Sequence, residues 1–148
     1  MRFDFYQLTR DPPEQLVPLI AAKIVAQGAR VLVLSAQQDQ LSVISEALWT
    51  QRPTSFLAHG ISGEEGVDVA LQPILLSNTA DAANGADNLI IADGAWRETD
   101  GSFARIFYLF PPDRVEEARA AWRSLAGQEG ADRHFWEQSG GGWIERGG

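Results

Sequence analysis

The sequence predicts an α/β fold, a single layered domain whose mostly parallel sheet is flanked by helices. Three observations predict it. Val31–Leu34 is a short, wholly apolar run of the kind found in strands covered on both faces. Apolar residues recur at helical spacing before and after that run. Glycines and prolines punctuate many of the boundaries between these segments.

Residues 2–9 set Phe3, Phe5 and Leu8 among polar neighbours and read as the first strand. Asp11, Pro12, Pro13 and Glu14 then offer a helix start, with Asp11 as the expected cap and proline at the first helical positions. Leu16, Ile20 and Ile24 form its stripe, Val17 and Ala21 widen it, and Gly28 ends it. Pro18 lies inside that pattern and is expected to kink it. Residues 30–35 give the second strand, and residues 38–49 a second helix with Leu41, Ile44 and Leu48 on one face.

A loop is expected over residues 52–60, carrying Phe56, Leu57 and His59. Three further strands are expected: residues 67–71, merging with 73–77; residues 88–93; and residues 103–110. The last helix is predicted over residues 113–126, capped by Asp113 and Glu116, with Val115, Ala118, Trp122 and Leu125 as its stripe. After Gly127 the chain turns Gly-rich and polar. Phe135, Trp136 and Trp143 in that segment imply that part of it packs back onto the domain. No repeat, low-complexity tract or linker divides residues 1–148, so one domain is expected.

Composition narrows the function classes. With 148 residues and 45% hydrophobic content the chain can close one core unaided. The absence of cysteine excludes disulfides and thiol chemistry, and leaves zinc only His59, His134 and carboxylates, so no metal is expected. No stretch approaches the roughly 18 apolar residues of a membrane span, and no signal-length apolar core opens the chain, so a soluble, cytoplasmic protein is expected. The net charge of -8 argues against holding nucleic acid by phosphate neutralisation. Residues 1–100 carry 6 basic and 13 acidic side chains and residues 101–148 carry 6 and 7, so a local positive patch is expected in the last third.

An α/β sheet invites a nucleotide, but the phosphate loop Gly-x-x-x-x-Gly-Lys-Ser/Thr is missing and the only lysine, Lys23, lies mid-helix. The turns at residues 9–13 and 35–39 contain no glycine, so a dinucleotide-type phosphate turn is missing too. His59 and His134 stand 75 positions apart without an accompanying hydrolase or metalloprotease motif. Glu64, Glu65 and Asp68 match no calcium-loop spacing and read as a solvated acidic loop. No catalytic constellation and no cofactor are therefore expected; a degenerate nucleotide-binding α/β enzyme is the alternative to a binding module.

Arg119 and Arg123 are one turn apart and fall beside the apolar stripe that includes Trp122. They could grip a peptide carboxylate while the neighbouring groove takes its side chain. They could equally serve the helix itself, Arg123 answering the dipole and Arg119 pairing with Glu116. Trp49 and Phe56 are the large rings least easily assigned to a core stripe.

Several segments together resemble the chi subunit of bacterial DNA polymerase III. They are Phe5-Tyr6-Gln7-Leu8, Arg30-Val31-Leu32-Val33, Glu46-Ala47-Leu48-Trp49, and Ser55-Phe56-Leu57-Ala58-His59-Gly60. Further on come Pro73-Ile74-Leu75-Leu76-Ser77, Ala118-Arg119 leading to Trp122-Arg123, and Phe135-Trp136-Glu137-Gln138 before Gly142-Trp143. The resemblance implies a Rossmann-like domain, a non-catalytic accessory subunit of the clamp-loader assembly. It implies two partners: the acidic, phenylalanine-ended C-terminal tail of single-stranded-DNA-binding protein, and the psi subunit, which forms a heterodimer with an otherwise monomeric chain. By matching residues, the tail falls on Arg119, Trp122 and Arg123, and psi or another replication protein on Phe56, with Trp49 and Phe110 by neighbourhood. Glu116 and Glu117 depart from the pattern and imply a modest affinity for the tail.

Overall fold

The first strand lies inside the sheet. β1 (Arg2–Gln7) pairs in parallel with β6 (Arg105–Phe110) on one side and with β7 (Asp132–Ser139) on the other. The remaining strands are β2 (Val31–Leu34), β3 (His59–Ile61), β4 (Ile74–Ser77), β5 (Asn88–Ile91) and β8 (Gly142–Arg146), with helices α1 (Pro13–Ala26), α2 (Gln38–Thr50) and α3 (Val115–Leu125). The computed structural model describes residues 1–50, 58–99 and 101–147. Within them one eight-stranded sheet runs in the order β3-β4-β2-β5-β6-β1-β7-β8, parallel throughout except for the antiparallel pair β7 and β8. The expected α/β architecture is what forms.

Each face of the sheet has its own core. α1 and α2 cover Val31, Val33, Ile74, Leu76 and Phe107 with Val17, Ile20, Leu41 and Ile44. α3 covers Phe3, Phe5, Leu32, Leu34 and Tyr108 with Ala118, Ala121 and Leu125. Successive strand residues point to opposite faces, so a strand covered on both sides must be apolar at every position. That requirement explains the unbroken Val-Leu-Val-Leu run of β2, all four residues of which are buried.

Four local expectations are corrected. Val69–Leu71 is a single 3-10 turn instead of a strand: the Asp68 carboxylate accepts from the Ala70 amide (3.2 Å) and captures the backbone before a ladder can form. His59–Ile61, placed in a loop by sequence, is a short edge strand against β4. Asp11 does not cap α1, whose N-cap is Pro12; Asp11 instead accepts from Gln138 Nε2 (2.8 Å). Asp113 lies in a 3-10 turn ahead of α3, which starts from Arg114 without a side-chain cap. α1 runs unbroken through Pro18.

The largest revision concerns the segment after Gly127. Its residues form β7, eight residues long and paired with β1, and β8, joined to β7 by a tight turn at Gly140 and Gly141. Gly140 takes φ 58°, a conformation open to glycine at no steric cost.

Candidate protein-binding site

α3 buries Ala118, Ala121 and Leu125, and the residues one step around the helix form the edge of that contact. Trp122 occupies this edge half-buried, its ring edge-on to Phe5 (5.5 Å between centroids) and to Phe135 of β7 (5.7 Å). Arg119, three positions before Trp122 and four before Arg123, lies between them around the helix, and both arginines are exposed. All three sequence-selected residues lie on α3, Trp122 against the sheet and the two arginines toward solvent.

Their electrostatic states differ. Arg119 reaches Glu116 at 3.3 Å, with the two side chains 52% and 82% exposed, and an ion pair so solvated holds its partners weakly. The Arg123 side chain makes no hydrogen bond or ion pair among the described residues. Glu117, a suspected competitor for the site, is turned away: its carboxylate accepts from the Trp96 amide (2.6 Å) and from Arg114 (3.1 Å). Only Glu116 remains to oppose the two arginines from the same helix.

A fourth participant escaped the sequence reading. Arg133 of β7 lies with its guanidinium 4.4 Å above the Trp122 ring and donates from Nη1 to the Trp122 carbonyl (2.7 Å). Register explains its position. Arg133 pairs with Phe3 and Phe135 with Phe5, so both face α3, and Arg146 of β8, opposite Phe135, follows them. Arg119, Arg123, Arg133 and Arg146 therefore share one side of the protein, against Glu116 and the Arg146-bound Glu137 (3.2 Å). The signal that could have found Arg133 was the Gly-Gly turn, which marks a hairpin and fixes the facing of β7.

The other selected residues fare differently. Trp49 is 50% exposed at the end of α2, its ring 4.8 Å from that of His59, whose Nε2 lies 3.0 Å from Ser45 Oγ. Phe56 lies outside the described residues. Phe110 is corrected: it has no solvent exposure and packs against Phe5, Tyr108 and Phe135. Register forces this, because Phe110 follows Tyr108 by two positions on β6 and shares its inward face.

A nucleotide finds no phosphate turn after β1. The amides of Thr9, Arg10 and Asp11 converge on one acceptor, but that acceptor is the chain's own Gln138 Oε1, at 3.2, 3.0 and 3.2 Å. Gln138 itself is 7% exposed. The donors that a phosphate needs are thus already satisfied from within. Among the described residues no three His, Asp or Glu side chains converge as a metal site would require, and Glu64, Glu65 and Asp68 form no such group. No helix is long and apolar enough to cross a membrane, among the described residues.

Comparison with known proteins adds the family. A model of the family described as DNA polymerase III chi subunit, HolC, matches residues 1–137. The chain belongs to the DNA polymerase III chi subunit family. Escherichia coli (strain K12) DNA polymerase III subunit chi is 41% identical over 51 residues, which are 34% of this chain and 35% of that protein. The matched stretch therefore spans about a third of the curated relative's length. Among solved structures, the Sulfolobus solfataricus SWI2/SNF2 ATPase C-terminal domain superposes with a TM-score of 0.49 and 15% identity, over 74% of this chain and 56% of that one.

The chi family match contains α3 and most of β7, and so Arg119, Trp122, Arg123 and Arg133. It stops one residue before Gln138, and all of β8 lies beyond it.

Proposed function

We propose that this chain links the replicase to single-stranded-DNA-binding protein by holding that protein's acidic C-terminal tail on the flank of α3, and that it binds the psi subunit on another surface. The observation that carries the first part is the Arg133 guanidinium over the half-buried Trp122 ring, with Arg119 and Arg123 exposed on the same helix. An acidic peptide ending in an aromatic residue needs cations for its carboxylates and an apolar ring for its last side chain. The flank offers both, and the loosely held Glu116 can be displaced from Arg119 by a peptide carboxylate. A protein of net charge -8 can bind an acidic tail because four of its arginines share this side. The chain contributes no catalysis in this reading; it is an adaptor. Trp49, with Phe56 after it, supports the psi-facing surface, since a half-exposed indole at a helix end is an anchor of the kind that partners use.

The test is a fluorescence-anisotropy titration of a labelled tail peptide at two salt concentrations. Binding should weaken as salt rises, because exposed charges are screened. Arg119→Ala should lose about 1.5 to 3 kcal/mol, roughly 10- to 150-fold in affinity, as one charge-assisted contact is removed. Equal binding by wild type and variant overturns the assignment.

A further inference from the structure

On the opposite face of β1 from α3, the C-terminal half of α1 leaves a cleft against the sheet. Its volume is about 160 Å³, and Tyr6, Ile20, Lys23, Ile24, Arg105 and Phe107 line it. That is about half the roughly 300 Å³ at which pockets for small organic ligands begin. A cofactor does not fit; one apolar side chain does.

The rim is positive for a structural reason. Asp4 has no solvent exposure and accepts from two guanidiniums, Arg2 Nε at 3.0 Å and Arg105 Nε at 2.8 Å, and from Trp136 Nε1 at 3.1 Å. Two cations share this one buried carboxylate; Asp132 also acts on Arg2, whereas Arg105 has no other carboxylate partner among the described residues. Arg105 is also fixed in direction, its guanidinium 4.3 Å over the Phe107 ring, while its side chain stays 35% exposed. Across the cleft stands Lys23, exposed on α1, its side chain with no hydrogen bond or ion pair among the described residues. An unpaired lysine and an under-neutralised arginine thus flank an apolar floor, in a protein of net charge -8.

We infer that this cleft is a second docking pocket, for a partner-protein segment in which one apolar side chain is flanked by aspartate or glutamate. The apolar residue fills the floor between Ile20, Ile24 and Phe107, and the carboxylates reach Lys23 and Arg105. No terminal carboxylate or aromatic residue is required, which separates this pocket from the α3 flank in both chemistry and place.

The test is a backbone-amide chemical-shift titration of the isotope-labelled full chain with a five-residue peptide, a central leucine with aspartates on both sides and both ends blocked. Saturable shifts are expected at residues 20–27 and 105–107. Lys23→Glu should weaken them at least tenfold, Arg119→Ala should leave them unchanged, and a peptide with lysines replacing the aspartates should produce none. Lys23 is exposed, so its variant keeps the fold, which a matching thermal melt verifies. The inference is overturned by an absence of saturable shifts at these residues, by equal shifts with the lysine peptide, or by shifts that persist in Lys23→Glu. Failure here leaves the tail assignment on α3 untouched, because the blocked peptide lacks the group that site needs.

Discussion

Two arginine clusters stand on opposite faces of the strands β1 and β7, and their carboxylate partners are held in opposite ways. On the α1 face, Asp4 is fully buried and receives Arg2, Arg105 and the Trp136 indole. On the α3 face, Glu116 is 82% exposed and meets Arg119 at 3.3 Å. The first arrangement is structural: an ionised buried group is tolerated only when its hydrogen-bonding capacity is filled, and removing one member strands the others. The second is exchangeable, since water and salt already compete for both partners. A partner protein can recruit arginines of the second kind without unfolding anything. Asp4 fixes its arginines in place, whereas Glu116 leaves Arg119 able to exchange partners.

The comparison breaks first at Asp4. Asp4→Ala should cost about 3 to 5 kcal/mol in urea unfolding, the usual result of removing one side of a buried ion pair. An effect below 1 kcal/mol would show the network to be incidental. Next comes Gln138→Ala, which leaves three converging amides without their acceptor; a loss of about 1 to 3 kcal/mol is expected in the same assay. Arg119→Ala should change stability by less than about 0.5 kcal/mol, as exposed substitutions do, while tail binding collapses. A destabilisation as large as that of Asp4→Ala would erase the distinction between the clusters.

Acidity sharpens the comparison further. Burial opposes ionisation of Asp4, but hydrogen bonds from Arg2 and Arg105 outweigh it and hold its pKa below the ordinary carboxylate value. Its contribution is therefore present above about pH 4 and is lost as pH falls through the depressed folded value. His134 behaves oppositely. A hydrogen bond with Glu145, 2.7 Å away, raises its pKa above the ordinary histidine value against an opposing desolvation, with Asp132 adding to the rise. That contribution is complete below about pH 6.5 and disappears as pH rises through the raised folded value. His134→Gln should remove the alkaline part of the pH dependence and leave the acid part intact, the smallest of these effects, read from urea midpoints across pH.

Much of this was legible in the sequence where a residue's role is decided by its neighbours along the chain. The helices follow from the spacing of Leu16, Ile20, Ile24 and of Leu41, Ile44, Leu48, and the doubly covered β2 from its unbroken apolar run. The clustering of Arg119, Trp122 and Arg123 is helical arithmetic. What depended on strand register was not legible. Arg133 reaches Trp122 only because β7 pairs with β1, and Phe110 turns inward only because β6 does. β7 hid for a physical reason: its two faces interleave Arg133, Phe135 and Glu137 with His134, Trp136 and Gln138, so neither shows a continuous apolar row. The caps failed because competing partners won: Gln138 for Asp11, and the Pro-started 3-10 turn for Asp113.

The inside position of β1 also has a consequence for how the chain is made. Both of its neighbours, β6 and β7, come from the last third of the sequence, and the first paired residue of β6, Arg105, trails Arg2 by about 100 positions. At translation rates of roughly 5 to 20 residues per second, the Phe-Asp-Phe-Tyr segment waits about 5 to 20 s on the ribosome with both edges open. During that interval Asp4, buried in the finished protein, is the one charge within an otherwise aromatic stretch. Asp4 thus interrupts the aromatic run through the whole interval in which its later partners, Arg105 and Trp136, are still missing.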